Sequence, residues 1–251
     1  MRRDQIALQL YTVRELATRD MIGTLRQLAE MGYNAVEFAG FGGVPPNELR
    51  AVLDELGMRA ASAHVPFKDW TDDPGRVLAD LDTLGSRHAA VPIMAPEHRE
   101  SEETVARFAE DLNGIAAVCA AAGIGLSYHN HDFEFARLGD ATLWEVLVRE
   151  TDPSLVGLEV DVYWVRYAGV DPEVLLQDVA DRVSVLHLKD MAPDEERSDA
   201  PVGEGTMPWD RLLAASDAAG VEWYVVEQDH PDDPMRDVRR SLENLERMAD
   251  G

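Results

Sequence analysis

Eight short apolar runs alternate with eight longer amphipathic ones along this chain, and that alternation leaves few folds open. The strand-like runs are Ile6–Leu10, Ala35–Phe38, Ala60–His64, Ala89–Met94, Gly125–His129, Val156–Asp161, Val183–Leu188 and Trp223–Glu227. Helix-like runs fall between them, at about 20–31, 46–56, 73–84, 101–122, 141–149, 171–180, 208–219 and 234–249. In the clearest of these, Val105, Phe108, Ala109, Leu112, Ile115, Ala116 and Cys119 recur at helical spacing. A glycine follows several of them, in Met31-Gly32, Leu56-Gly57, Ala122-Gly123 and Ala219-Gly220, where a helix commonly ends in a left-handed residue. Strict alternation of this kind over 251 residues predicts a closed parallel (β/α)8 barrel. The competing fold, a doubly wound open sheet, usually carries a Gly-rich phosphate turn after its first strand. Here that strand runs into Gln9-Leu10-Tyr11-Thr12-Val13-Arg14, with no glycine. Pro and Gly are spread along the connections and no linker stands out, so a single TIM-barrel domain over residues 1–251 is expected.

The charge balance narrows the function. With 48 acidic and 23 basic residues the formal charge is −25, which repels phosphate backbones and anionic lipid and disfavours nucleic acid and membrane surfaces as partners. Cys119 is the only cysteine, so an intrachain disulfide and a thiolate zinc site are excluded. No apolar run reaches the ~20 residues of a membrane span, and the first one is too short for a signal peptide; a cytoplasmic protein is expected. Of the basic residues only Lys68 and Lys189 are lysines. A lysine where the chain otherwise uses arginine suggests a need for a compact ammonium.

Barrel enzymes build their sites at the C-terminal ends of the strands. Here those ends carry Gln9 and Tyr11, Glu37, His64, then Pro92 and Met94, then His129, Asn130 and His131, then Asp161, then His187 and Lys189, and finally Glu227, Gln228 and Asp229. Four of the seven histidines fall there. Polar strand ends are ordinary, but concentrated histidine is not. His129, Asp161, His187 and Glu227 lie on four consecutive strands, and such a set suits one divalent metal ion of the Mn, Zn, Mg, Co or Fe kind. Glu159 lies two residues before Asp161 and shares its face. A carboxylate at that depth needs a partner: an ion pair with another strand, or a histidine of the set whose tautomer it fixes.

Several motifs in order carry a family resemblance. Leu126-Ser127-Tyr128-His129-Asn130-His131-Asp132-Phe133-Glu134-Phe135, Gly157-Leu158-Glu159-Val160-Asp161-Val162-Tyr163-Trp164, Val185-Leu186-His187-Leu188-Lys189-Asp190, Val202-Gly203-Glu204-Gly205 and Val225-Val226-Glu227-Gln228-Asp229 resemble sugar phosphate isomerase/epimerase-like proteins of the xylose-isomerase-like TIM-barrel superfamily. The opening run from Gln9 to Arg14 and Gly32-Tyr33-Asn34-Ala35-Val36-Glu37 fit as well. The resemblance covers essentially the whole chain. It implies four metal positions, at the ends of strands five to eight. Three carry over as Asp161, His187 and Glu227. The first is usually a glutamate, and His129 stands there instead. In the epimerases two metal-bound glutamates face each other across the sugar and trade protons at one carbon; a histidine breaks that pair.

The chemistry expected is metal-assisted proton transfer next to a carbonyl of a sugar or keto-sugar. Glu227 is the first choice of base, with Glu37, Glu134 and Glu159 as substitutes. Lys189 or His64 would stabilise the ene-diolate. Gln9, Tyr11, His131, Glu134 and Trp164 are candidates for substrate contact, with Trp70 as a second apolar wall. Reprotonation gives isomerisation or epimerisation, the reading placed first; loss of a β-leaving group gives a dehydratase or lyase of the inosose-dehydratase or 3-keto-glycoside type. A sugar-binding barrel without turnover is a further alternative. An AP endonuclease activity, also within the superfamily, conflicts with the charge. A homo-oligomer is compatible with the sequence, and short loops or a second subunit would have to supply specificity.

Overall fold

A computed structural model describes residues 1–249. The apolar runs form eight parallel strands: β1 (Ile6–Gln9), β2 (Ala35–Phe38), β3 (Arg59–Ala63), β4 (His88–Val91), β5 (Gly125–His129), β6 (Val156–Asp161), β7 (Val185–Leu188) and β8 (Trp223–Val226). Their order is β3-β2-β1-β8-β7-β6-β5-β4, so chain neighbours are neighbours in space. β3 and β4 complete the ring through one parallel bridge, His64 to Ala90, with the Val65 N–H donating to the Ala90 carbonyl at 2.9 Å. The result is a nearly closed (β/α)8 TIM barrel. β4 stops at Val91 rather than Met94 because Pro92 has no N–H to give a neighbouring strand.

The main helices are α1 (Met21–Met31), α2 (Pro46–Leu56), α3 (Pro74–Leu84), α4 (Glu102–Ala121), α5 (Leu143–Glu150), α6 (Pro172–Asp178), α7 (Trp209–Ala218) and α8 (Pro234–Ala249). Their starts are written locally. Asp20, Asp73 and Asp171 accept backbone N–H bonds at the N-caps of α1, α3 and α6, and Ser101 and Thr142 form capping boxes on α4 and α5. Three six-residue helices, Arg14–Arg19, Phe67–Asp72 and Val162–Tyr167, were not expected. Each lies in the connection that leaves the C-terminal end of a strand, β1, β3 and β6 respectively. Trp70, on the second of them, is buried in the apolar core and forms no wall for a sugar. Cys119 is buried on α4. Among the described residues no helix is long and apolar enough to cross a membrane.

Inside the barrel the layers follow from the two-residue period of a strand. Ala7, Ala35, Ala61, Val185 and Val225 form a small apolar layer. Two residues further along the same strands stand Gln9, Glu37, His187 and Glu227, and with them the interior turns polar at its C-terminal end.

Candidate functional site

Strand register brings the polar ends together. His129 pairs with Glu159 across β5 and β6, His187 with Asp161 across β6 and β7, and Gln9 with Glu37 across β1 and β2. Two groups result, one above the other. In the deeper one, Glu159 Oε1 has three imidazoles around it: His64 Nε2 at 2.6 Å, His129 Nδ1 at 3.1 Å and His187 Nε2 at 3.2 Å. Glu37 Oε2 lies 2.6 Å from His187 Nε2 and accepts from Gln9 Nε2 at 2.7 Å. In the outer one, Lys189 Nζ stands 3.0 Å from Asp161 Oδ2, 3.2 Å from Glu227 Oε2 and 2.7 Å from Asp229 Oδ2. His187 joins the two: its Nδ1 is 3.0 Å from Glu227 Oε2.

Charge inside this low-dielectric mouth sets the protonation states. Burial pushes the Lys189 ammonium down, but Asp161, Glu227 and Asp229 outweigh that and hold it well above its usual range. Burial likewise raises Glu227, and Lys189 and His187 outweigh it, keeping the carboxylate ionised. Asp161 is raised to about 6 by burial, tempered by Lys189. Burial would lower His187 and His64; Glu37 and Glu159 outweigh it and raise both. His129 is pushed well below its usual range by burial, and His131 falls to about 4 through burial and the nearby Lys189 charge, so both are neutral at pH 7.

A divalent ion fits these residues. His129, Asp161, His187 and Glu227 can present ligand atoms within 4.8 Å of one another, and so can His64, His129, Glu159 and His187. Buried Glu159 Oε2 has no hydrogen-bond partner within the chain, which an ion would supply, while Asp161 Oδ2 meets only the Lys189 ammonium and His129 Nδ1 only Glu159 Oε1.

A cleft of about 620 Å³ opens beside the outer group. Trp164, Gln228 and Asp229 line it; the Trp164 ring lies 5.3 Å from Lys189 Nζ and 5.7 Å from the His131 ring. Its wall is acidic. Seven carboxylates line it against two arginines, and both arginines are already paired, Arg236 with Asp237 and Arg240 with Glu204.

The expected site residues fare differently. Trp164 lines the cleft with the His131 ring 5.7 Å from its own, and Glu227 is buried behind it against Lys189 and His187. Glu37 and His64 join the histidine group beneath. Gln9 is wholly buried, donating to Glu37 and accepting the Tyr11 N–H at 3.1 Å, so the chain itself uses the amide expected to touch substrate. Glu134 is also buried: Oε1 accepts from Tyr128 at 2.6 Å and Oε2 from the His131 N–H at 2.8 Å. It pins the loop after β5 instead of facing the cleft. Tyr11 stands at the rim, 42% exposed, beneath the Arg14 guanidinium. Lys189, expected to stabilise the ene-diolate, is fully buried. Asp190 points the other way and accepts from Met191 N, Gly203 N, Met207 N and Trp209 Nε1, which makes the Gly203-Glu204-Gly205 segment a folded turn. Asp161 gives Oδ1 to the backbone of Tyr163 and Trp164 as a helix cap, leaving Oδ2 for the mouth.

Asp229 and Asn130 stand among the polar strand ends, but the sequence assigns neither a role in the site. Asp229 is two residues beyond Glu227, the spacing that singled out Glu159, and could have been found that way. Asn130, which accepts the Asp161 N–H at 3.0 Å, bears no such signal.

Known proteins resemble this chain in sequence and fold. An inosose dehydratase of Geobacillus kaustophilus is 30% identical over 203 residues, 70% of this chain and 63% of that protein, so the chain spans less than two thirds of that relative's length. A sugar phosphate isomerase/epimerase of Parabacteroides distasonis superposes with a TM-score of 0.83 at 26% identity, covering 96% of each chain. A zinc-bound IOLI protein shares the fold, with a TM-score of 0.72 at 12% identity over 98% of each chain. The profile of one family matches residues 25–248, nearly the whole barrel, and the chain belongs to that family, the xylose isomerase-like TIM barrels.

Proposed function

We propose that this chain is a metal-dependent dehydratase that removes water from an uncharged, cyclic keto-sugar or related keto-polyol. The observation that carries the reading is the one-sidedness of the carboxylates. Asp161, Glu227 and Asp229 gather around the single ammonium of Lys189, and the strand-five position from which a second carboxylate would face them holds neutral His129. Exchange of a proton between two opposed carboxylates, which epimerisation at one carbon needs, has no second partner here. A single carboxylate working on one face suits elimination. The inosose dehydratase relative supports the same outcome. The acidic cleft disfavours a phosphorylated substrate.

The ion, held through His129 and His187 with carboxylates of either donor set, supplies a Lewis acid for substrate oxygens. The chain's own residues do the rest. Trp164 offers an apolar face to the C–H side of a ring. Buried His131 Nδ1, unpartnered within the chain, hydrogen-bonds a hydroxyl. Glu227, kept ionised by Lys189 and His187, takes the proton from the carbon next to the carbonyl. Its electrons form the enolate, the β-hydroxyl leaves, and the protonated Glu227 carboxyl returns its proton to that oxygen on the same face, releasing water. Lys189 compensates the negative charge while the proton moves.

The test is incubation with a panel of inososes, keto-glycosides and open-chain ketoses in deuterated buffer, followed by NMR. Loss of water from a cyclic ketone, dependent on added divalent ion and slowed roughly a thousandfold in Glu227→Gln, is the expected result. Aldose–ketose or epimer exchange without loss of water would instead make the chain an isomerase and overturn the dehydration step.

A further inference from the structure

The two donor sets share His129 and His187 and differ in what already stands against them. The outer set, completed by Asp161 and Glu227, is the one the family resemblance implies. Its carboxylates already have a cation. Lys189 Nζ lies 3.0 Å from Asp161 Oδ2 and 3.2 Å from Glu227 Oε2, on a fully buried stem held under the rings of Tyr163 and Trp164. A divalent ion at those oxygens would sit against a fixed positive charge in a low-dielectric site, where such repulsion is strong.

The inner set has no such occupant. His64 Nε2, His129 Nδ1 and His187 Nε2 converge on Glu159 Oε1 at 2.6, 3.1 and 3.2 Å, with Glu37 Oε2 2.6 Å from His187 Nε2 and 3.5 Å from His64 Nε2. The second oxygens of both glutamates, Glu37 Oε1 and Glu159 Oε2, are buried without a donor. These two fully buried carboxylates face imidazoles rather than a lysine or arginine, and a divalent ion among those imidazoles would compensate both. The other nitrogen of His187 also agrees: Nδ1 is 3.0 Å from Glu227 Oε2. A histidine that binds a metal through one nitrogen commonly donates to a carboxylate through the other.

We propose that the resident divalent cation of this chain is held by the inner set, His64, His129, His187 and Glu159 with Glu37 against it, and that Lys189 permanently takes the cation's place at the outer carboxylates. Three imidazoles and a carboxylate select zinc, cobalt or iron over magnesium. This rests on the mouth being a metal centre, and the experiment separates the two ideas.

The full chain is stripped with chelator, reloaded with Co2+ or Zn2+ alone, and assayed for bound metal by elemental analysis. One ion per chain is expected. Its affinity should stay within about twofold in Asp161→Asn and fall at least a hundredfold in His64→Gln and Glu159→Gln. Proton NMR of the unsubstituted Co2+ form keeps the test independent of how the variants fold. Three shifted, exchangeable imidazole N–H signals are expected, one from each ligating histidine, falling to two in His64→Gln. Two signals in the unsubstituted chain, or metal lost in Asp161→Asn and kept in His64→Gln, would overturn the inner site and leave the metal centre standing. No bound ion in the reloaded unsubstituted chain would overturn both.

Discussion

Single side chains at the barrel mouth take their roles from partners that lie far away in the chain. Lys189 shows this most directly. As one of two lysines it drew attention by rarity, yet rarity carries no information on whether an ammonium faces solvent or three carboxylates. Glu134 shows the reverse: a carboxylate in a promising motif, sealed between Tyr128 and a backbone N–H. Burial raises its carboxyl from 4.5 to about 7. A raised carboxyl favours the protonated folded form, so its contribution is fully present below pH 4.5 and is lost as pH rises through about 7. In Glu134→Gln that pH-dependent part disappears. Urea unfolding at pH 5 and pH 8 should therefore show the unsubstituted chain's advantage over Glu134→Gln shrinking by about 2.5 kcal/mol at the higher pH. A difference that does not change with pH would mean that this carboxyl is not buried as described.

At the scale of elements, the sequence and the structure agree closely where the signal is periodic. β2, β5 and β6 keep the expected bounds, as do α2 and α8, because apolar repetition, caps and glycine stops are all local. The three six-residue helices were missed because a turn and a half is too short to display a period. The segment after β7 depends on contacts that are local only in space. Asp190 gathers four N–H donors, and Gly205 lies so close that a Cβ there would fall on Asp190 Oδ1 and the Met191 carbonyl. Gly205→Ala should cost about 2 kcal/mol of unfolding free energy by overpacking, measured by urea titration. A change within 0.5 kcal/mol, the size of an ordinary surface substitution, would show that the turn moves freely.

For the whole molecule, the point of interest is where the ring closes. Most neighbouring strands share several register pairs, while β3 and β4 share the His64–Ala90 bridge and the Val65 bond. Opening at this seam exposes fewer bonds than opening elsewhere. The Val65 amide should exchange with solvent roughly tenfold or more faster than the Glu227 amide, which donates to the Leu188 carbonyl across β7 and β8 at 3.1 Å. Equal protection measured by hydrogen-exchange NMR would mean that the barrel opens as one unit. The −25 charge also gains a location at this scale. Part of it lines the cleft, and under the proposed function it disfavours anionic substrates.

The sequence by itself determined the order of the eight strands and the main helices, the end of the barrel at which polar and ionisable residues collect, and the residue types gathered there. Each of those follows from local periodicity, capping or the two-residue strand period. Only the tertiary structure decided which groups meet. Glu159 beneath three histidines, Lys189 amid Asp161, Glu227 and Asp229, and Glu134 turned away from the cleft all depend on the register and stagger of strands far apart in the chain. Ionisation then follows from those distances and from burial. A residue's identity sets its ordinary pKa, but only its neighbours in the closed barrel set the charge it carries there.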